Sequence, residues 1–196
     1  MFTGIITDVG RITGVERLAV GRRLTIETAY ETAGIDLGAS IACNGACLTV
    51  VEKGPSSFAA DVSGETDDKT TSGDWDVGTR INLERALRAA DELGGHLVLG
   101  HVDGVGSVTR LQRQGDNHRV AIEVPAALKH YIASKGSVTV DGVSLTVNEV
   151  DDAVFGVNII PHTWENTSLA DLLVGAGVNI EVDVIARYVA RLLERE

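Results

Sequence analysis

Two short runs of this sequence place the same reactive residue types at the same spacing. Residues 44–52 read Asn-Gly-Ala-Cys-Leu-Thr-Val-Val-Glu, and residues 141–149 read Asp-Gly-Val-Ser-Leu-Thr-Val-Asn-Glu. Cys47 stands where Ser144 stands, and Thr49 stands where Thr146 stands. A thiol is a softer nucleophile than a hydroxyl and becomes strong as the thiolate, so the pair suggests related sites with divided labour. His101 is a natural acid/base near neutral pH, and its counterpart Ile5 is not. Lys135 aligns with Gly38, which places one cation in one half only. Each residue also has a plainer reading. Threonine is favoured in strands, a lone cysteine is most often a core thiol, and a lysine is most often a surface residue. His101 also fits a structural histidine. His96 and His130 are read as surface residues, or as residues one step removed from a ligand.

The matching runs belong to a longer repeat. At an offset of 97 residues Phe58 meets Phe155, Thr66 meets Thr163, Thr70 meets Thr167 and Asp74 meets Asp171. Asn82 meets Asn179, and Glu84 meets Glu181. Gly4 and Gly10 meet Gly100 and Gly106 at an offset of 96. That period exceeds the roughly 20–50 residues of solenoid or propeller units and matches a small domain. The chain reads as two tandem domains of one fold, and two copies of one domain should present two copies of one pocket.

The elements that position these residues read as mostly strand. Ser40–Cys43 and Ala46–Val51 flank Asn44-Gly45, a dipeptide suited to a type I′ hairpin turn. Asp141-Gly142 repeats the signal between Ser137–Val140 and Val143–Val147. Further strands are expected over Gly10–Arg17, Arg23–Thr28, Ser57–Val62 and Thr79–Leu83, with counterparts at Gly106–Arg113, Arg119–Val124, Ala153–Ile159 and Gly177–Val182. About six short strands per copy point to a small antiparallel barrel. Alternation lapses over Thr66–Trp75 and Thr163–Leu173, where helical turns are expected. Ala86–Leu93 reads as a short helix stopped by Gly94-Gly95. At the C-terminus Val184, Ile185, Tyr188, Val189, Leu192 and Leu193 form one apolar helical stripe, opposite Arg187, Arg191, Glu194 and Glu196. So short a helix needs its stripe covered, and a partner subunit is the expected cover.

Composition excludes several classes. The 17 basic and 28 acidic residues give a formal charge of −11, and no basic stripe for nucleic acid is present. Few aromatics argue against a stacking platform for single strands. No basic region precedes an apolar stretch at the N-terminus, and no apolar run approaches a membrane span, so a soluble, cytoplasmic chain is expected. Cys43 and Cys47 are not expected to pair in a reducing compartment, and no further ligands stand at zinc spacing.

Several motifs together resemble the riboflavin synthases of the alpha-chain family. They are Met1-Phe2-Thr3-Gly4-Ile5-Ile6, Asn44–Val50, Gly94-Gly95-His96-Leu97-Val98-Leu99-Gly100-His101-Val102, Lys135-Gly136-Ser137 and Asp141–Val147. The resemblance spans essentially the whole chain. It implies an all-β fold of two tandem six-stranded antiparallel, Greek-key-like barrels plus a C-terminal α-helix. The expected divisions are 1–96 and 97–183 for the lumazine-binding barrels and 184–196 for an oligomerisation helix. It implies a transferase in which two 6,7-dimethyl-8-ribityllumazine molecules exchange a four-carbon unit. One leaves as riboflavin, the other as 5-amino-6-ribitylaminouracil, with no cofactor and no metal. It further implies a homotrimer whose active site lies between the amino-terminal barrel of one chain and the carboxyl-terminal barrel of its neighbour. An association with lumazine synthase is left open. A non-catalytic lumazine- or flavin-binding homologue is the alternative reading.

The resemblance assigns catalytic roles to His101, Cys47, Ser144, Thr146, Lys135 and Asp183. It places substrate contacts at Gly4, Ile5, Ile6, Cys47, Leu48, Thr49, Asp61, Val62, Ser63, Gly64, Glu65 and Thr66. In the second half it places them at Gly100, His101, Val102, Lys135, Ser144, Leu145, Thr146, Ile160, Pro161, His162, Thr163, Trp164 and Glu165. The chain departs from the family pattern at Asp67-Asp68-Lys69 and at His162, in loops expected to touch ribityl groups.

Overall fold

Strand alternation sorts this chain into two filled barrels. A computed structural model describes residues 1–193. Strands β1 (Asp8–Arg17), β2 (Arg22–Glu27), β3 (Ser40–Cys43), β4 (Ala46–Lys53), β5 (Ser57–Val62) and β6 (Arg80–Arg85) close into a barrel in the order β1-β2-β5-β4-β3-β6. Strands β7 (Gly104–Gln114), β8 (Asn117–Glu123), β9 (Ser137–Val140), β10 (Val143–Asp151), β11 (Val154–Ile159) and β12 (Gly177–Val182) close in the equivalent order. All pairings are antiparallel, for example β3 with β4 through Ala42 and Cys47, and β9 with β10 through Thr139 and Ser144. The two tandem six-stranded antiparallel barrels expected from the repeat are present.

The hairpin turns form as their chemistry requires. Asn44 and Gly45 have φ of 42° and 81°, and Asp141 and Gly142 have 46° and 79°, the paired positive values of a type I′ turn. Each barrel is filled by the inward residues of its strands. Ile12, Leu24, Leu48, Val50, Phe58 and Leu83 pack in one core, and Val108, Val120, Leu145, Val147, Phe155 and Ile180 in the other. No room for a ligand remains inside barrels of this size, so any pocket must lie on their outer faces.

Short helices follow the fifth strand of each copy: α1 (Gly64–Lys69) and α2 (Pro161–Glu165), each trailed by a 3-10 turn at Thr71–Asp74 or Ser168–Asp171. The lapses of alternation mark them correctly. The helix expected over Ala86–Leu93 does not form. Its backbone is committed elsewhere: Ala86 N donates to Ser40 O and Leu87 N to Met1 O. Pairing with the N-terminus overrides the local helical pattern. The C-terminal helix α3 (Val184–Leu193) is present. Ile185, Tyr188, Leu192 and Leu193 are each more than 60% exposed, so the stripe is not covered by its own barrels. Glu194 and Glu196 of its polar face lie outside the described residues. Among the described residues no helix is long and apolar enough to cross a membrane.

An internal two-fold relates the barrels. The Asn82 amide donates to Asp141 O at 2.9 Å, and the Asn179 amide donates to Asn44 O at 2.8 Å. Ser168 N donates to Asn82 Oδ1, and Thr71 N to Asn179 Oδ1. The turn backbones at Gly45 and Gly142 meet on the axis; a Cβ on either would fall within 2.8 Å of the other's nitrogen. Glycine is therefore required there both by φ and by space.

Candidate functional site

Strand parity decides which candidates share a surface. On β4, Ala46, Leu48 and Val50 point inward, and Cys47 and Thr49 point outward. On β10, Val143, Leu145 and Val147 point inward, and Ser144 and Thr146 outward. The side chains of Leu48, Leu145 and Val62 therefore belong to the cores and not to the outer faces. A contiguous span of contacts ignores this alternation, and the structure corrects it for those three side chains.

Each outer face is completed by a segment from elsewhere in the chain. Residues before β7 cross to β4, where Cys47 N donates to Gly100 O at 2.9 Å. The N-terminal residues cross to β10, where Ser144 N donates to Gly4 O at 2.8 Å. Gly4 and Gly100 both have φ of 77°, and a Cβ on them would lie 2.5 Å from Ser144 Cβ and 2.6 Å from Cys47 Cβ. Phe2 and Val98 form a bridge between the two crossing segments.

Two buried carboxylates hold these segments. Glu84 accepts from Thr3 N, Thr3 Oγ1 and Gly4 N at 2.7–2.9 Å. Glu181 accepts from Leu99 N, Gly100 N and His101 N over the same range. Burial pushes both carboxyls above the ordinary range, and the donated hydrogen bonds oppose that shift. Neither glutamate was among the candidates. Their recurrence at the 97-residue offset was the available signal.

The first barrel carries a cavity of about 280 Å³. Cys47, Glu65, Thr66, Gly100, His101 and Val102 line it together with Ala46, Lys69 and Thr70. Ser63 caps α1 by accepting from Thr66 N at 3.1 Å, which orients Thr66. Arg22 pins the same helix by a two-pronged ion pair with Asp67, one of the departing residues. Asp61 lies outside this cavity and is engaged by Arg23 at 2.7 Å, which holds its carboxyl below the usual range. Gly64 opens α1, and a Cβ built there would meet no other group within 4 Å.

The second barrel presents a different constellation. Ser144 Oγ lies 2.7 Å from His96 Nδ1. His96 N donates to Thr3 O, and Gly95 passes so close that a Cβ would sit 2.1 Å from Thr3 O. Burial lowers the His96 pKa, and the Asp183 carboxylate pulls it back up. Asp183 Oδ1 also accepts from Ile185 N at the start of α3. Ile5 is exposed beside this group, and Ile6 packs on the second core. His101 is not part of it: the structure places His101 with Cys47. His96, read from sequence as peripheral, is the histidine that meets Ser144.

The remaining candidates are distributed around these faces. On α2, His162 and Glu165 are exposed, while Trp164 stacks on His118 with ring centroids 3.8 Å apart. Pro161 opens that helix behind Ile160, and Thr163 O accepts from Thr167. Lys135 is exposed in the turn before β9 with φ of 68°, where Gly38 has 85° in the first copy. Both nitrogens make the same bond, to Val147 O and Val50 O at 2.8 Å. A lysine held in a conformation suited to glycine is strained backbone.

The comparisons with known proteins agree with this geometry. A family model described as the lumazine binding domain matches residues 3–86 and again 99–183. Riboflavin synthase of Brucella abortus (strain 2308) is 48% identical over 99% of this chain and 98% of its own. The Mycobacterium tuberculosis H37Rv and Bacillus subtilis (strain 168) riboflavin synthases are 46% and 38% identical, covering 98% and 91% of their own lengths and 98% and 100% of this chain. The chain belongs to the riboflavin synthase family. Among solved structures, LumP complexed with riboflavin superposes with a TM-score of 0.85 at 26% identity, covering 93% of this chain and 99% of that one. LumP complexed with 6,7-dimethyl-8-(1′-D-ribityl) lumazine gives 0.82 at the same identity and coverage.

Proposed function

We propose that this chain converts two molecules of 6,7-dimethyl-8-ribityllumazine to riboflavin and 5-amino-6-ribitylaminouracil by transfer of a four-carbon unit. The observation that carries the reading is one outer barrel face built twice with different reactive groups. The Cys47 face holds His101, and the Ser144 face holds His96. Two identical substrates that must react differently call for that arrangement. Fixing both in register removes much of the entropy cost of a bimolecular encounter.

In this reading the neutral imidazole of His96 takes the proton of the Ser144 hydroxyl or of a water held there. That supplies the nucleophile which opens one lumazine. Thr146, outward on the same strand face, binds a ring carbonyl, and Asp183 steadies the imidazolium that forms. His101 moves the proton of the acidic C7 methyl on the partner lumazine. Cys47, Thr49, Glu65 and Thr66 bind that partner. Lys135 anchors ribityl hydroxyls or offsets developing negative charge.

The reacting pair is assembled between the first barrel of one subunit and the second barrel of another. The exposed stripe of α3 closes a homotrimer. The functional units are 1–96, 97–183 and 184–196. Incubation with 6,7-dimethyl-8-ribityllumazine should produce flavin absorbance near-stoichiometrically at one riboflavin per two substrates. A non-catalytic binder would give ligand-induced fluorescence changes and no flavin.

A further inference from the structure

The two short helices α1 and α2 are fastened to their barrels at the same two positions by different chemistry. Arg22 on β2 lies opposite Val62, and His118 on β8 lies opposite Ile159, the repeat mate of Val62, so Arg22 and His118 are equivalent. Asp67 on α1 and Trp164 on α2 are equivalent at the 97-residue offset. In the first copy Arg22 Nε and Nη2 each donate to Asp67 at 3.0 Å. In the second copy His118 stacks on Trp164. A third position changes with them. Ser72 is fully buried and donates to Asp67 Oδ1 at 2.7 Å, and its mate Leu169 is a residue of the second core. Three polar groups in one copy stand where the other has a ring stack and a leucine.

The difference matters because α1 has no apolar anchor. Gly64–Lys69 reads Gly-Glu-Thr-Asp-Asp-Lys and buries no side chain. Helix α2 has Trp164, which packs against the second core. A helix this short has no stability of its own, so tertiary contacts decide where it sits. For α1 those contacts run through Asp67. The Arg22 and Asp67 side chains are only 13% and 22% exposed, so loss of either partner leaves a shielded charge uncompensated. Arg22 Nη1 also donates to Trp75 O, so one guanidinium ties both α1 and the turn behind it. The connection continues beyond Ser72: Thr70 Oγ1 stands 2.9 Å from Ser72 Oγ and 2.8 Å from Thr66 O. Glu65 and Thr66 line the Cys47 cavity, whereas Arg22, Asp67 and Ser72 do not.

We propose that Arg22, Asp67 and Ser72 are positioning residues of the Cys47 face, fixing Glu65 and Thr66 for the ligand without touching it. This rests on the reading of that face as a lumazine and flavin pocket. A two-pronged, charge-assisted pair imposes a defined geometry as well as an attraction. The first pocket's grip therefore depends on an ion pair that the second pocket, held by His118 against Trp164, does not use.

Cys47 can report occupancy of this face alone. It lines the cavity, whereas Cys43 is fully buried and burial pushes its thiol pKa up. The rate of Cys47 alkylation by iodoacetamide, followed by mass spectrometry of the full chain against riboflavin concentration, gives a dissociation constant for the first pocket. Asp67→Asn should raise that constant about tenfold, the scale of one lost charge-assisted contact. Arg22→Lys keeps the charge and loses the fork, so it should shift the constant the same way by less, and it serves where Asp67→Asn does not fold. His118→Ala, in the other copy, should leave protection at Cys47 unchanged. Protection unaltered in Asp67→Asn and Arg22→Lys, or weakened equally in His118→Ala, would overturn the proposal. No protection by riboflavin in the unmutated chain would overturn the ligand reading of the face and the proposal with it, so the two failures are told apart before any variant is made.

Discussion

Ser144 Oγ and His96 Nδ1 stand 2.7 Å apart, and nothing in the first half reproduces the pair. Cys47 occupies the place of Ser144, but its crossing segment brings Gly100 and His101, which line the same cavity. The two faces are alike in backbone and unlike in proton chemistry.

That pair should be visible in a pH profile. Burial lowers the His96 pKa, so the neutral, proton-accepting form persists below the ordinary value of about 6.5. Turnover is expected to fall only as pH drops through that lowered value, and His96→Gln should remove this acid limb along with most of the rate. The same depression means that the unfolded chain binds the proton more readily. Stability linked to His96 is therefore present above about pH 6.5 and lost as pH falls through the folded value. A variant with the wild-type profile would remove His96 from the chemistry.

His101→Ala should slow turnover by about 10²–10⁴-fold while the dissociation constant for riboflavin barely moves. Its backbone is held by Glu181, so the loss of the ring leaves the crossing segment in place. Steady-state kinetics alongside fluorescence titration separates the cases. Near wild-type kcat at saturation would sink the assignment.

Lys135→Gly offers an unusual trade. Lys135 holds a left-handed conformation that its counterpart Gly38 adopts freely. The variant should gain up to about 1 kcal/mol in denaturant unfolding, as strain is released. It should lose activity if the ammonium serves the ligand. Loss of stability together with unchanged activity would contradict both halves of the argument.

Asp141→Asn should stabilise the chain at high pH. Burial raises the Asp141 pKa to about 7. A raised carboxyl stabilises below its unfolded value of about 4, and that stability is lost as pH climbs toward 7. Asn44 shows that an amide fits the equivalent turn. A gain on the order of 2 kcal/mol near pH 8, vanishing near pH 4, is expected from urea midpoints, and a pH-independent difference would refute the linkage.

Truncation after Asp183 should lower the assembly mass in sedimentation, because it removes the exposed stripe from Ile185 to Leu193. A stable trimer without α3 would place the subunit contacts elsewhere.

Local chemistry made much of this fold legible. Asn44-Gly45 and Asp141-Gly142 announced their hairpins, because those dipeptides favour positive φ at both turn positions. Ser57–Val62 and Gly177–Val182 matched their expected bounds. The segment after Arg85 failed because its donors are taken by Ser40 and Met1, partners far away in sequence. The site was less legible for the same reason. Cys47 and Ser144 were visible as a repeated pair, but the histidine that meets Ser144 lies 48 residues away on a crossing segment. Glu84 and Glu181 looked like ordinary repeat positions until their backbone partners were known.

The crossing segments carry a consequence for how the halves communicate. Gly100 to Val102 wall the first barrel's pocket, and Gly4 lies against the second barrel's reactive strand. A ligand gripping the Cys47 face therefore holds the start of the other half in place, and adds RT ln(1 + [L]/Kd) to the cohesion of the junction. The converse holds for the Ser144 face and the N-terminus. Severed at any point between them, each half would take with it part of its twin's binding surface. The duplicated domains are thermodynamically mortgaged to one another, so substrate occupancy is itself a mortar for the molecule.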